Sequence, residues 1–194
     1  GGSLTTADLA AYRAIHRRPV CVAYRCCVFV SNPPPSSEGL LIAFALRVLD
    51  RLGPMAPPGS PAGIAVLTEA MREAARLRAP GFVGELYRGG AARRLLADGL
   101  VDEAAASARP ALRQRAPEPL GAPSTTHISV VDGSGNAASL SATTGSGSGL
   151  VVPGTGVQMN NMLGEPDLNP PERSLRPGVR LTSMMAPSIV LAEG

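Results

Sequence analysis

The feature that most constrains this chain is a change of hydrophobic period across residues 107–124. That stretch carries Pro110, Pro117, Pro119 and Pro123 among Ala, Arg and Gln. Proline there removes backbone donors and fixes φ, so the stretch reads as an irregular connector. Before it, apolar residues recur at helical spacing. Leu41, Phe44, Ala45, Val48 and Leu52 predict an amphipathic helix over Glu38–Leu52. A second helix is predicted over Ala62–Arg78 with Leu67, Met71, Ala74 and Leu77 inward, and a third over Arg88–Ala106 despite Gly89, Gly90 and Gly99. Thr5 or Thr6 followed by Ala7-Asp8-Leu9 predicts an N-cap and a short helix through Tyr12. Val20–Val30 is β-branched and aromatic enough for a strand or hairpin, which Pro33-Pro34-Pro35-Ser36-Ser37 ends. After the connector the period becomes two. Thr126–Val131 alternates, Asp132-Gly133-Ser134-Gly135-Asn136 forms a turn, and Ala137–Thr143 alternates again. Helices followed by an antiparallel hairpin imply an α+β layered domain.

The charge pattern excludes several function classes. The net charge of +3 rests on arginine alone, for the chain has no lysine, and no basic block exceeds the pairs Arg17-Arg18 and Arg93-Arg94. Without interleaved aromatics these arginines read as a solvated surface, not a nucleic-acid face. The run Leu40–Leu46 is too short to span a bilayer. Cys21, Cys26 and Cys27 lack zinc-site spacing and read as small buried apolar residues. His16 and His127 are the only histidines and have no second ligand at metal spacing, so neither a metal nor another cofactor is expected. The absence of an initiator Met, and an end directly after the apolar run Ile189–Ala192, read as cuts at both ends. The compartment stays open.

Two motifs invite a catalytic reading. A triad of His127, Ser129 and Asp132 fails on spacing: same-face neighbours on a strand lie roughly 6.6–7 Å apart, and Asp132 falls on the opposite face. Ser129 and Asp132 are then ordinary strand and turn residues. Thr125 is different, because it stands where a proline-broken tether meets a strand. Cleavage at Ser124–Thr125 would give it a free α-amine of pKa about 7.7–8.0, able to act as base for its own hydroxyl. The segment Gly145-Ser146-Gly147-Ser148-Gly149 lacks the following helix that a nucleotide fingerprint needs. It reads as a mobile or close-approach glycine loop.

Several segments, in order, resemble signatures of gamma-glutamyltranspeptidases. They are Leu9-Ala10-Ala11-Tyr12-Arg13, Pro33–Ser37, Thr125–Asp132, Val152-Pro153-Gly154-Thr155-Gly156, Met159–Glu165 and Leu181–Pro187. The resemblance implies an N-terminal-nucleophile hydrolase, here a partial αββα four-layer sandwich truncated at both ends. It implies a precursor that cleaves itself at Ser124–Thr125. Residues 1–124 would then be the C-terminal part of the large subunit with its connector, and residues 125–194 the N-terminal part of the small catalytic subunit. It further implies γ-glutamyl transfer or hydrolysis on glutathione-class amides, with an amino acid, peptide or water as acceptor. Thr125 would be the nucleophile and Thr143 would orient it. Glu165 would hold the substrate's α-ammonium, and Thr182 and Ser183 its α-carboxylate.

Some positions depart from that pattern. Gly145 stands where the family commonly has Asn, Thr182-Ser183 replaces Ser-Ser, and Glu38 replaces a commoner Gly. The family's oxyanion-hole glycines would lie beyond Gly194 and its substrate-clamping arginine before Gly1. Two alternatives therefore stay open: a cephalosporin-acylase-like amidase with the same Thr125 chemistry, and a non-catalytic remnant.

Overall fold

A computed structural model of the chain describes residues 4–54, 56–57, 59–112, 125–166, 168–169 and 176–192. Most of the connector, including Ser124, lies outside the described residues. The elements run α1 (Thr6–Ala11), β1 (Val20–Tyr24), β2 (Cys27–Ser31), α2 (Glu38–Leu52), α3 (Pro61–Arg76), α4 (Phe82–Leu86), α5 (Ala91–Leu95), α6 (Asp98–Ala111), β3 (Thr126–Val131), β4 (Ala137–Ala142) and β5 (Ser188–Ala192). The chain is α+β, as its changing period implies.

Helix α1 starts where Thr5 predicts, through a reciprocal capping box. The Asp8 amide donates to Thr5 Oγ1 at 3.2 Å, and the Thr5 amide donates to Asp8 Oδ2 at 2.8 Å. Helix α2 has the predicted bounds and forms the centre of the core. Leu40, Leu41, Phe44, Val48 and Leu49 are all buried, and they meet Ala70 and Ala74 of α3 and Val101, Ala104 and Ala105 of α6. Fully burying one such large side chain contributes roughly 1.5–3 kcal/mol, so this helix carries much of the fold. Its other side packs on β1 and β2, where Val20, Val22 and Phe29 close over Ala43.

Three expectations need correction. Leu67 and Met71 are exposed, because α3 buries Ala70 and Ala74 instead. Small residues there let α2 and α3 approach closely. The same face buries Glu69 and Glu73, each ion-paired to an arginine three residues on, Arg72 and Arg76. The continuous helix over Arg88–Ala106 is absent: α5 begins after Gly90 in the left-handed region at φ 80°, and α6 begins only at Asp98. The cysteines are not core residues either. Cys21 and Cys26 are exposed and Cys27 half-buried. Strand alternation sends Val20 and Val22 inward and Cys21 out.

Val20–Val30 is indeed a hairpin, β1 and β2 joined by a tight turn with Arg25 at φ 56°. Its neighbour comes from much later in the chain. The late apolar run forms β5, antiparallel to β2 with Phe29 opposite Val190 and Ser31 opposite Ser188. The sheet order is β1-β2-β5, and β3 and β4 form a separate two-stranded sheet. A short serine ladder joins the two sheets. The Ser188 amide donates to Ser139 Oγ on β4 at 3.0 Å, while Ser188 Oγ donates to Ser31 Oγ on β2 at 2.9 Å.

Candidate functional site

Thr125 immediately precedes β3 and is exposed. The β3–β4 register pairs Thr126 with Ala142 and His127 with Ser141. Thr125 and Thr143 each lie one residue beyond the terminal pair of that ladder, Thr126 with Ala142. Thr143 is half-buried, and its Oγ1 accepts from the Gly145 amide at 3.0 Å. The hairpin turn is built by Asp132, whose carboxylate accepts from the Ser134 amide at 2.8 Å, the Asn136 amide at 2.9 Å and Asn136 Nδ2 at 2.8 Å. Those bonds, the Asn136 side chain first, hold the Asp132 carboxyl below the usual carboxylate range. Asp132 is a turn builder, as its position on the strand implies.

The argument against a His127–Ser129 contact is overturned. His127 Nε2 lies 2.9 Å from Ser129 Oγ, and Nδ1 lies 2.8 Å from Ser141 Oγ on the neighbouring strand. Strand spacing fixes Cα positions, but an imidazole leaning along the strand covers the gap. The result is a cross-strand clasp on the face that also carries Thr125 and Thr143. Asp132 takes no part in it.

The glycine loop behaves as a close-approach segment. Ser148 donates its amide to the Met159 carbonyl at 3.1 Å, Met159 returns one to Leu150 at 2.9 Å, and the Asn161 amide donates to the Thr144 carbonyl at 3.2 Å. This folds 157–161 back along 144–151 and brings Asn161 and Glu165 beside Gly145. Gly145 has φ 66°, and a Cβ there would collide with Glu165 Oε1 and Asn161 Oδ1. Glu165 follows a single 3-10 turn, Met162–Gly164, and its carbonyl accepts from the Leu168 and Asn169 amides at 3.1 and 2.9 Å. Buried Leu168 anchors that turn. Asn161, quoted within a motif but given no role by the sequence, is the residue that reasoning from the sequence missed. Only the fold-back places it at Gly145.

Thr182 and Ser183 form a second group. Thr182 is buried and its hydroxyl donates to the Pro35 carbonyl. Ser183 Oγ accepts from the Met185 amide at 3.0 Å and from Ser36 Oγ at 3.4 Å, and the Ser183 carbonyl accepts from the Ser37 amide at 3.0 Å. Among the described residues no hydrogen bond joins this group to Thr143, Asn161 or Glu165. An open cavity of 660 Å³, lined by Asn32, Ser36, Ser139 and Arg180, lies between the sheet and the β3–β4 hairpin. None of the five predicted site residues lines it. No group of three or more metal-ligating side chains occurs among the described residues. No described helix is long and apolar enough to cross a membrane.

The ordered motifs and this geometry meet a decisive comparison: the family model for gamma-glutamyltranspeptidase matches residues 1–194. The chain belongs to the gamma-glutamyltranspeptidase family. Similar family proteins carry two kinds of name. The Acylase ACY 1 proenzyme of Pseudomonas sp. (strain SE83) is 33% identical over 212 residues, covering 100% of this chain and 36% of the relative. The glutathione hydrolase proenzyme of Escherichia coli (strain K12) is 31% identical over 216 residues, covering 100% of this chain and 37% of the relative. Among solved structures, the cephalosporin acylase from Bacillus halodurans superposes with TM-score 0.69 at 27% identity, covering 98% of this chain and 35% of that one. The chain thus spans little more than a third of the length of the relatives it matches.

Proposed function

We propose that the protein containing this chain is a self-processing amidohydrolase that acts on γ-glutamyl amides through Thr125. The observation that supports this reading is that Thr125 immediately precedes β3, one residue before the terminal ladder pair Thr126–Ala142. In the proposed precursor, cleavage at Ser124–Thr125 separates residues 1–124 from 125–194. The pieces would stay together through β2–β5 pairing, the Ser37–Ser183 bond, and the bond from Asn32 Nδ2 to the Met185 carbonyl at 2.8 Å. The sheet β1-β2-β5 under α2, and the hairpin β3–β4, would be parts of the two inner layers of an αββα sandwich.

The chemistry follows from an N-terminal threonine. The α-amine takes the hydroxyl proton as Oγ1 attacks the substrate's γ-carbonyl carbon. Collapse of the tetrahedral intermediate breaks the amide C–N bond, and the departing nitrogen takes the proton. Water or an amine acceptor then attacks the glutamyl ester, and Thr125 regains its proton. Thr143 orients the nucleophile. Glu165 accepts from the α-ammonium in a charge-assisted bond. Ser183 Oγ accepts from the Met185 amide, which leaves its own hydrogen to donate to the α-carboxylate. Thr182, committed to Pro35, holds that loop in place.

A second reading is an amidase for glutaryl-type side chains by the same Thr125 chemistry. Gly145 favours it, as do the acylase names of the relatives. Kinetics of the full-length protein with γ-glutamyl-p-nitroanilide and glutaryl-p-nitroanilide separate the two. We expect the γ-glutamyl substrate to be preferred and Thr125→Ala to turn over neither. Preference for the glutaryl substrate establishes the second reading instead.

A further inference from the structure

The tip of the β1–β2 hairpin carries two adjacent thiols that the chemistry at Thr125 does not use. Tyr24 and Cys27 are the last ladder pair, so Arg25 and Cys26 alone make the turn, with Arg25 at φ 56°. There Cys26 Sγ lies 3.8 Å from Cys27 Sγ. Cys26 is exposed and Cys27 half-buried, so solvent reaches the pair. Distances decide what the pair can hold. A disulfide needs its sulfurs about 2.05 Å apart and its Cα atoms usually about 4.4–6.8 Å apart, whereas neighbouring Cα atoms are held at about 3.8 Å. A direct S–S bond would therefore distort the turn. Two bonds of about 2.3 Å, the length of a zinc–thiolate bond, span the observed 3.8 Å at a near-tetrahedral angle. One interposed thiophilic atom fits where a direct bond does not. Zinc itself is a poor match. Its closed sites use four protein ligands, and no group of three or more His, Cys, Asp or Glu side chains among the described residues could hold a metal ion. Trivalent arsenic needs only three bonds, and two thiols supply two of them.

We propose that Cys26 and Cys27 form a binding site for trivalent arsenicals, at the opposite end of β2 from the Ser31–Ser188 contact. Capture balances without an oxidant. Each sulfur forms a bond to arsenic as its S–H bond breaks, and the two hydrogens leave on the arsenical's oxygen as water. Arsenic stays trivalent, and its third bond remains to its own carbon or hydroxyl. Contact with Cys26 pushes the Cys27 thiol above its ordinary range, so Cys27 enters the exchange protonated. The first As–S bond makes the second intramolecular, which strengthens binding by roughly 100- to 10,000-fold over a single contact. Cys21, exposed and opposite Val30, lies outside the pair and offers arsenic one bond only.

The test adds phenylarsine oxide to the reduced full-length protein and follows the adduct by titration, native mass spectrometry and peptide mapping. Wild type should hold one phenylarsenic group on the peptide containing Cys26 and Cys27, with loss of one water. It should keep that group in excess β-mercaptoethanol and release it to ethanedithiol. Cys26→Ser and Cys27→Ser should each weaken retention by roughly 100- to 10,000-fold, while Cys21→Ser should leave it unchanged. Cys26→Ala and Cys27→Ala replace either serine variant if its melting curve shows loss of folding. Unchanged retention in Cys26→Ser overturns the proposal, as does a wild type that gives up the group to the monothiol. A loss in Cys21→Ser equal to that in Cys26→Ser also overturns it, because arsenic would then bridge a different pair. None of these outcomes depends on cleavage or turnover at Thr125.

Discussion

Residues 4–112 and residues 125–192 differ in what holds them. The first region builds a core around α2, with Leu40, Phe44 and Val48 all but inaccessible. In the second, only Leu168 and Thr182 are buried among the described residues. Ile128, Val130, Val131 and Leu140 are exposed on the β3–β4 hairpin. Yet every residue proposed for amide chemistry or substrate binding lies in the second region. Its position is set by attachment to the first, through β5 on β2, Ser183 on Ser36 and Ser37, and Thr182 on Pro35. Stability and chemistry are thus divided between the two regions, and mutations in them should report on different things.

The largest stability effect belongs in the first region. Phe44→Ala should destabilise the chain by about 3–5 kcal/mol, the usual cost of emptying a buried aromatic site. Ile128→Ala on the exposed hairpin should change stability by less than about 0.5 kcal/mol. Urea denaturation of both variants in the 194-residue chain checks the contrast, and equal effects would break it. Next comes Glu165→Ala, which should act on function instead. Loss of a charge-assisted bond of about 1.5–3 kcal/mol predicts a roughly 10- to 150-fold fall in kcat/KM for γ-glutamyl-p-nitroanilide. In the full-length protein the melting temperature should hardly move. A Glu165→Ala protein that loses stability and activity together would erase the division.

Smaller effects sharpen the comparison. Ser60 caps α3 by accepting from the Gly63 amide at 3.1 Å, and Ser60→Ala should cost about 1 kcal/mol in the same denaturation experiment. The smallest effect concerns the β3–β4 turn. The folded-state carboxyl of Asp132 is held below its ordinary value. Its stabilisation is therefore complete above the ordinary carboxylate pKa of about 3.9, and is lost as pH falls through the lowered folded value. Amide exchange at Ser134 and Asn136 should accelerate in that acid window while α2 stays protected. Asp132→Ala should show fast exchange at every pH.

The sequence revealed most where one physical signal dominated. The period of Leu41, Phe44, Val48 and Leu52 set the bounds of α2, and alternation around Asp132–Asn136 revealed the β3–β4 hairpin. It failed where tertiary fit decided the outcome. Leu67 and Met71 look inward by hydrophobicity, but close approach of α2 favours Ala70 and Ala74. Gly90 breaks a pattern that otherwise reads as one helix. The pairing of β5 with β2 spans over 150 residues and left no local trace. At the candidate site, the family resemblance nominated Thr125, Thr143, Glu165, Thr182 and Ser183. The reach of His127 to Ser129 and the position of Asn161 at Gly145 depend on rotamers and a loop fold-back that spacing does not encode.

The central claim is that Thr125 becomes an N-terminal nucleophile. Intact-mass analysis and N-terminal sequencing of the purified full-length protein test it most directly. The account predicts two chains, one starting Thr-Thr-His-Ile-Ser, and a single uncut chain for Thr125→Ala. A wild-type protein with no such start, or a Thr125→Ala protein cleaved at the same bond, would contradict it.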